Sequence, residues 1–467
     1  MRIGIFDNYY LSLTGRLLDE GHQVRLYVGP TVDPLRDRGG EVFYPKAKDY
    51  KDFRMHTCLE EFLDESCDFW ITWPGCEISY EALRAAGKKV VGWSSAVTMM
   101  EALRIFGQQQ LARVTKGLSF PQVSYVTRLK EAERRVKEFG KNPFVIKPVG
   151  DPLIAQPAQQ TVVIRDSEHA LWLLKRENAW FDKDGNGGCL FEQFIPGQEV
   201  CWGAWFNGER FELPLYVCVE HKGVLNGNMG EIMGGEVGTP IYLLNGLTPE
   251  NSRIWKVFRD MEPLFRGQAH GLVDINTICN LETGSLHFLE WTTRLGRPTL
   301  EVLIGMCDPE ANLGGFLSHL AAGDLGCESP FSNRQAVGVT VFPYGYPILE
   351  GVQDTMDKPS DGIIFDLPAT RWPDNQAVQM FCNWDRQRQV AVTTDNQRTC
   401  TVVGLGETVK AAQKAAYAPL ENFHLFSHMW RTDVGNMLPR LYRALASHRI
   451  VPESSFSASI REEFQAL

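Results

Sequence analysis

Residues 1 to 95 alternate short apolar runs with helical stretches, and this alternation restricts the possible folds more than any other feature of the chain. Arg2 to Phe6 reads as a short buried strand, Leu11 to Glu20 as a helix closed by Gly21, and Gln23 to Val28 as a second strand. Phe69 to Trp73, a helix from Glu77 to Ala86 ended by Gly87, and Lys89 to Gly92 continue the pattern. Strands separated by helices predict a parallel sheet with helices on its faces, hence an α/β fold. The first strand runs into Phe6-Asp-Asn-Tyr-Tyr10 rather than G-x-G-x-x-G, so no dinucleotide-binding turn is expected there.

With 467 residues the chain exceeds one ordinary core, and two to four packed domains are expected. Helical periodicity over 97 to 116 leads into a unit with strands at Phe144–Lys147, Thr161–Ile164 and Gly188–Phe194 and a helix around Asp166–Arg176. Residues 210 to 325 mix antiparallel strand signals with helices at Pro249–Phe265 and Asp308–Ala322. The remainder, from about 329, carries strands Ala336–Phe342 and Val390–Thr393 and a helix Thr408–Tyr417.

A formal net charge of −10 argues against bulk nucleic-acid binding, which needs a basic footprint. No stretch reaches the ~20 apolar residues of a membrane span. The apolar run Ile3–Phe6 stops at Asp7 with no cleavage site behind it, so a signal peptide is not expected. Eleven cysteines without a C-x-x-C pair suit a reducing, cytoplasmic setting, and no His/Cys grouping has zinc-ligand spacing.

Five segments carry chemistry. Lys147 ends the apolar strand Phe144-Val-Ile146, where a lysine can present its charge to phosphate oxygens. In Cys189-Leu-Phe-Glu-Gln-Phe-Ile-Pro-Gly-Gln-Glu199, backbone groups around Glu192, Gln193, Phe194 and Ile195 can pair with an adenine edge, and Glu199 can accept from ribose hydroxyls. The stretch Glu220 to Gly235 holds five glycines after His221 and Lys222, a composition that lets backbone amides approach an anion. Glu290 and Thr292 share a face of the strand His287–Thr292, and a carboxylate behind an apolar run needs a cation. Asp274, in Gly-Leu-Val-Asp-Ile, is a second such carboxylate, and oxygen ligands completed by phosphates suit Mg²⁺. Arg294 can clamp a phosphate or, alternatively, pair with Glu290.

Taken in order, a lysine-ended strand, an E-x-F-x-x-G-x-E hinge, a glycine-rich H-K loop and an E-x-[NT]-x-R-x-G strand resemble the phosphoribosylamine–glycine ligase family of the ATP-grasp superfamily. Val337–Pro347, Thr401–Tyr417 and Trp430–Gly435 are similar to that family's last domain. The resemblance implies an ATP-grasp fold with an N-terminal parallel-sheet domain at 1–95, a linker helix and lid at 96–205, a catalytic core at 206–328, and a C-terminal α+β domain at 329–467. It implies ATP and Mg²⁺ as cofactors and small-molecule carboxylate and amine substrates, in a soluble monomer or homodimer. Arg294 and Lys222 would be catalytic. Lys147, Glu192 to Ile195, Glu199 and Gln108 would bind ATP; His221, Gly234, Gly235 and Arg297 would face substrate; Glu290, Asp274 and Thr292 would hold metal.

The chain departs from the family in several places. A glycine-rich loop after the first strand is replaced by Phe6–Tyr10, and the phosphate-covering loop reads Gly150-Asp-Pro-Leu-Ile-Ala-Gln-Pro157. The helix lysine that the family carries ahead of Pro121 is replaced near Gln108, the metal strand's Asn is Thr292, and Gly-Asp-Pro-Glu becomes Gly296-Arg-Pro-Thr299. The expectation is a ligase with a changed substrate. The alternatives are the family's own purine-biosynthetic reaction and a nucleotide-binding pseudoenzyme.

Overall fold

The computed structural model describes residues 1–6, 11–27, 51–149, 161–176, 180–181, 187–232, 237–324, 326, 328–343, 364–365, 376–380, 383–385, 390–392, 399–422 and 428–467. The loops 7–10 and 150–157, together with Gly234 and Gly235, lie outside the described residues.

The N-terminal alternation folds as expected. Strands β1 (Arg2–Phe6), β2 (Gln23–Tyr27), β3 (Phe53–His56), β4 (Phe69–Ile71) and β5 (Val90–Trp93) pair in parallel in the order β3-β2-β1-β4-β5. Helices α1 (Leu11–Asp19), α2 (Leu59–Leu63) and α3 (Tyr80–Ala85) connect them. β1, β4 and β5 are almost wholly buried, which explains their apolar runs without polar alternation.

The helical stretch 97–116 is two helices, α4 (Ser95–Ala102) and α5 (Arg104–Val114), broken at Leu103. α4 turns back so closely that a side chain at Gly107 would meet the Met100 carbonyl and the Trp291 indole. Periodicity alone does not register such a break, because both helices bury residues on comparable faces.

A four-stranded sheet with its own core follows. It contains β6 (Val123–Val126), β7 (Phe144–Val149), β8 (Val162–Ile164) and β9 (Gly188–Gln193), ordered β6-β9-β7-β8, with α6 (Leu129–Phe139) and α7 (Ser167–Arg176) against it. Phe139, Phe144 and Phe191 stack in its centre.

In the next unit the large sheet continues with antiparallel strands β10 (Gln198–Phe206), β11 (Phe211–Cys218), β14 (Gly238–Leu244), β15 (Ala269–Cys279) and β16 (Leu286–Thr292); β12 (Gly223–Leu225) and β13 (Met229–Ile232) form a separate two-stranded hairpin, and the helices are α8 (Arg253–Met261), α9 (Thr299–Met306) and α10 (Leu313–Ala322). β15 lies between β10 and β16 and also pairs, through Ala269 and His270, with Trp93 and Gly92 of β5. The two large sheets are thus continuous. The sequence placed the helices of this unit at Pro249–Phe265 and Asp308–Ala322; they start later, at Ser252 and Asn312, whose side chains cap them.

The C-terminal strands β17 (Gln335–Pro343), β18 (Ile364–Phe365), β19 (Gln376–Met380), β20 (Asn383–Asp385), β21 (Val390–Val392), β22 (Cys400–Gly406) and β23 (His428–Met429) come with helices α11 (Val409–Tyr417), α12 (Leu438–Ser447) and α13 (Ala458–Gln465). β17, β19 and β22 extend the core sheet beyond β14, and α11 packs on β22 across Gly404 and Gly406. None of the described helices is long and apolar enough to cross a membrane. The nine described cysteines are free thiols.

Candidate active site

β15 and β16 build the floor of the site. Asp274 and Asn276 stand two residues apart on β15, so both point to one face, and the ladder sets Asp274 opposite Thr292 and Asn276 opposite Glu290. The register shifts just beyond, where Thr277 pairs with Phe288 and Leu289 is left over. Without that bulge, Glu290 would share a face with the buried Phe288; with it, Glu290 joins Asp274, Asn276 and Thr292. Opposite Asp274, on β10, sits Gly203; a Cβ there would fall on the Asp274 carboxylate and the Tyr216 ring.

One cleft is lined by Glu220, Lys222, Asp274, Asn276, Glu290, Thr292, Arg294, Gly296, Arg297 and Thr299. Six of the residues chosen from sequence (Lys222, Asp274, Glu290, Thr292, Arg294 and Arg297) therefore converge, from three separate stretches of the chain. The Lys222 ammonium lies 2.5 Å from Glu199, 3.1 Å from Glu220 and 3.3 Å from Glu290. Burial alone would lower its pKa, but those three carboxylates raise it well above the usual value. Glu290 also pairs with Arg104 at 2.6 Å. Burial works to raise the Glu290 pKa, yet Arg104, Lys222 and Lys147 hold it well below the usual carboxylate range.

The alternative of a Glu290–Arg294 pair is replaced by another arrangement. Arg294 pairs with Glu101 at 2.9 Å, and Arg297 with Glu301 at 3.1 Å. Part of the Arg297 charge is thus met by a neighbour one helical turn away.

Lys147 is buried against Glu192 at 2.5 Å. Its pKa is lowered, first by burial and then by the nearby Arg104 charge. Arg104 sits between the two clusters and feels both Glu290 and Glu192. At the hinge, the Gln193 amide donates to the Gln122 carbonyl, which leaves Phe194 and Ile195 to offer backbone groups. Gln108 donates its side-chain amide to the Pro121 carbonyl at 3.0 Å, just ahead of β6.

His221 is not among the residues lining the cleft. It is buried, with Nδ1 3.4 Å from Asn228 Oδ1, and its pKa is lowered to about 4 by burial and then by the Arg431 charge. Arg431, itself buried, donates to the Gly223 carbonyl and Asn228 Oδ1 and pairs with Asp433, which in turn accepts from the Gly227 amide. The segment resembling the family's last domain thus clamps the described part of the glycine-rich loop.

Arg104, Glu220 and Asn276 were not chosen from sequence. Asn276 left a signal, being two residues from Asp274 in a buried strand; Arg104 looked like any helix-surface cation.

The oxygen-rich cleft fits a divalent cation. Asp274 and Asn276 are each 2% exposed, and the Oδ1 atom of each lacks a hydrogen-bond partner. Burial pushes the Asp274 carboxyl well above its usual range, opposed chiefly by the Tyr216 hydroxyl, and a bound cation would reverse that. Among the described residues no three His, Cys, Asp or Glu side chains form a ready-made metal cage. Mg²⁺ takes few protein oxygens and completes its shell with phosphates and water.

No family model matches the chain. It is 25% identical over 433 residues to the phosphoribosylamine–glycine ligase of Neisseria meningitidis, covering 87% of this chain and 93% of that protein. It is 25% identical over 367 residues to the enzyme of the same name from Ralstonia nicotianae, covering 76% and 80%. The phosphoribosylamine–glycine ligase structure from Thermotoga maritima superposes with a TM-score of 0.65 at 20% identity, over 93% of this chain and all of that one. The chain has the ATP-grasp fold and is similar in sequence to the phosphoribosylamine–glycine ligases. The breadth of that fold is plain from a biotin carboxylase domain of Hydrogenobacter thermophilus, described in complex with MgADP. It matches at TM-score 0.61 and 13% identity over 99% of this ATP-grasp chain and 95% of its own.

Proposed function

We propose that this chain is an ADP-forming, Mg²⁺- and ATP-dependent carboxylate–amine ligase whose substrates differ from phosphoribosylamine and glycine. The observation that carries the reading is the meeting, in one cleft, of the acids Asp274, Glu220 and Glu290 with the cations Lys222, Arg294 and Arg297. A carboxylate has no leaving group until it is phosphorylated, so the site must hold phosphoryl donor and carboxylate together.

In this reading the backbone at Phe194 and Ile195 receives adenine, Glu199 the ribose, and Lys147 and Arg104 the phosphates. Asp274 and Glu290 hold Mg²⁺, which supplies charge neutralisation for the transferred phosphoryl group. Lys222 and Arg294 then stabilise that charge from the protein side. A carboxylate oxygen of one substrate attacks the γ-phosphorus and ADP leaves. The amine attacks the resulting acyl carbon, loses a proton, and phosphate departs with the carboxylate oxygen.

The altered substrate rests on Gly296-Arg-Pro-Thr299, where the family carries acids. Arg297 and Thr299 line the cleft and face an ammonium group less favourably than acids do. The test is to supply ATP, Mg²⁺, glycine and freshly generated phosphoribosylamine and look for glycinamide ribonucleotide. Turnover on the order of 1 s⁻¹, typical of a dedicated enzyme, would restore the family's own reaction.

A further inference from the structure

Asn276, like Thr292, lines the cleft but has no part in the proposed chemistry. It is 2% exposed and sits directly opposite Glu290 in the β15–β16 ladder. Its Nδ2 donates to Glu220 Oε2 at 3.2 Å and to Glu290 Oε1 at 3.5 Å. Those two acceptors fix which way the carboxamide points and leave Oδ1 without a donor. The neighbouring Asp274 Oδ1, two residues away on the same face, is also unpartnered.

Two buried acceptor oxygens on one face of β15, each without a partner, are costly. A cation or a donor relieves that cost. Among the described residues, the lysine lining the cleft is Lys222, already engaged with Glu199, Glu220 and Glu290. A neutral carboxamide oxygen is a hard ligand that adds no further charge beside three carboxylates, which suits a small divalent cation.

We propose that Asn276 is a divalent-cation ligand in this chain, its Oδ1 joining the carboxylates of Asp274 and Glu290, in the role that reading the β16 strand alone gives to Thr292. In effect the carboxamide stands on β15, across the ladder from Glu290, instead of two residues beyond Glu290 on β16. The inference rests on the MgATP reading of the cleft and adds a ligand to it.

The experiment titrates MnCl₂ into the full-length protein with a non-hydrolysable ATP analogue (the β,γ-imido form), reading free Mn²⁺ by electron paramagnetic resonance. Asn276→Leu should weaken Mn²⁺ about tenfold, in the range typical of losing a metal-site contact. Thr292→Val should stay within about twofold of wild type. Asn276→Asp, equal in shape, should bind Mn²⁺ at least as tightly as wild type and serves as the decisive variant if the leucine form does not fold. Wild-type affinity in Asn276→Leu, a loss confined to Thr292→Val, or weakened Mn²⁺ in Asn276→Asp would each overturn the assignment. If wild type itself binds no Mn²⁺ with the analogue, the MgATP reading falls and this inference with it.

Discussion

Arg104 and Glu290 meet at 2.6 Å, joining the first turn of α5 to the strand that floors the cleft. Glu290 also touches Lys222, so without ligand its charge is balanced by two cations. In the proposed reading, Glu290 would help to hold a cation and Arg104 would be available to phosphate oxygens. Glu290→Gln keeps the shape and removes the charge. It should lower ATP turnover at least a hundredfold while the protein remains folded by circular dichroism. A variant that unfolds would make Glu290 structural, and one with unchanged turnover would remove it from the site.

Gly203 is required for the position of Asp274. Gly203→Ala should press on the Asp274 carboxylate and the Tyr216 ring, at a cost of about 1–3 kcal/mol of stability. Urea unfolding measures that loss. Mn²⁺ affinity should fall with it, whereas an alanine at the exposed Gly75 of the N-terminal unit should leave Mn²⁺ binding alone.

Acid should destabilise the fold before it disables the carboxylates. His221 and His270 both have pKa values lowered to about 4, in each case mainly by burial, with Arg431 and Arg84 respectively adding to it. A depressed histidine pKa means that the unfolded chain takes up the proton first. Stability is therefore full above about pH 6.5 and is lost as pH falls toward 4. Denaturant midpoints at pH 7.5, 6 and 5 should fall in sequence. His270→Gln should flatten that slope, even if it costs stability at pH 7.5 by disturbing the contact with Tyr80.

Glu20 titrates lower still. Burial would raise its pKa, but His22, Arg16 and the amides of Leu313 and Gly314 hold it at about 2. Its carboxylate thereby caps α10 from the N-terminal unit. Glu20→Gln should cost about 2 kcal/mol at pH 7, and the difference from wild type should shrink as pH falls from about 4.5 toward 2. Paired denaturation curves at pH 7 and pH 3 would check it.

The sequence carried most of the cleft because alternation along a strand fixes which side chains share a face. Glu290 with Thr292, and Asp274 two residues from Asn276, needed only that rule. It does not say which strand lies opposite, and so the pairing of Asn276 with Glu290 was not legible. Nor was the bulge at Leu289, since apolar runs on either side of it look continuous. Arg104 was missed for a related reason: helical periodicity marks buried faces, while Arg104 is a charge drawn to a distant carboxylate. The break at Leu103 depends on close contact with Met100 and Trp291, which periodicity does not encode.

The ligase reading is tested most directly by oxygen transfer. Incubate the protein with ATP, Mg²⁺, a pool of small amines and carboxylic acids labelled with ¹⁸O in the carboxyl group, and analyse the released phosphate by mass spectrometry. Carboxylate phosphorylation predicts ADP and one ¹⁸O in each phosphate released, with signal that requires both acid and amine and is lost in Glu290→Gln. Unlabelled phosphate, AMP with pyrophosphate, or no nucleotide cleavage above the ATP-only background would contradict it.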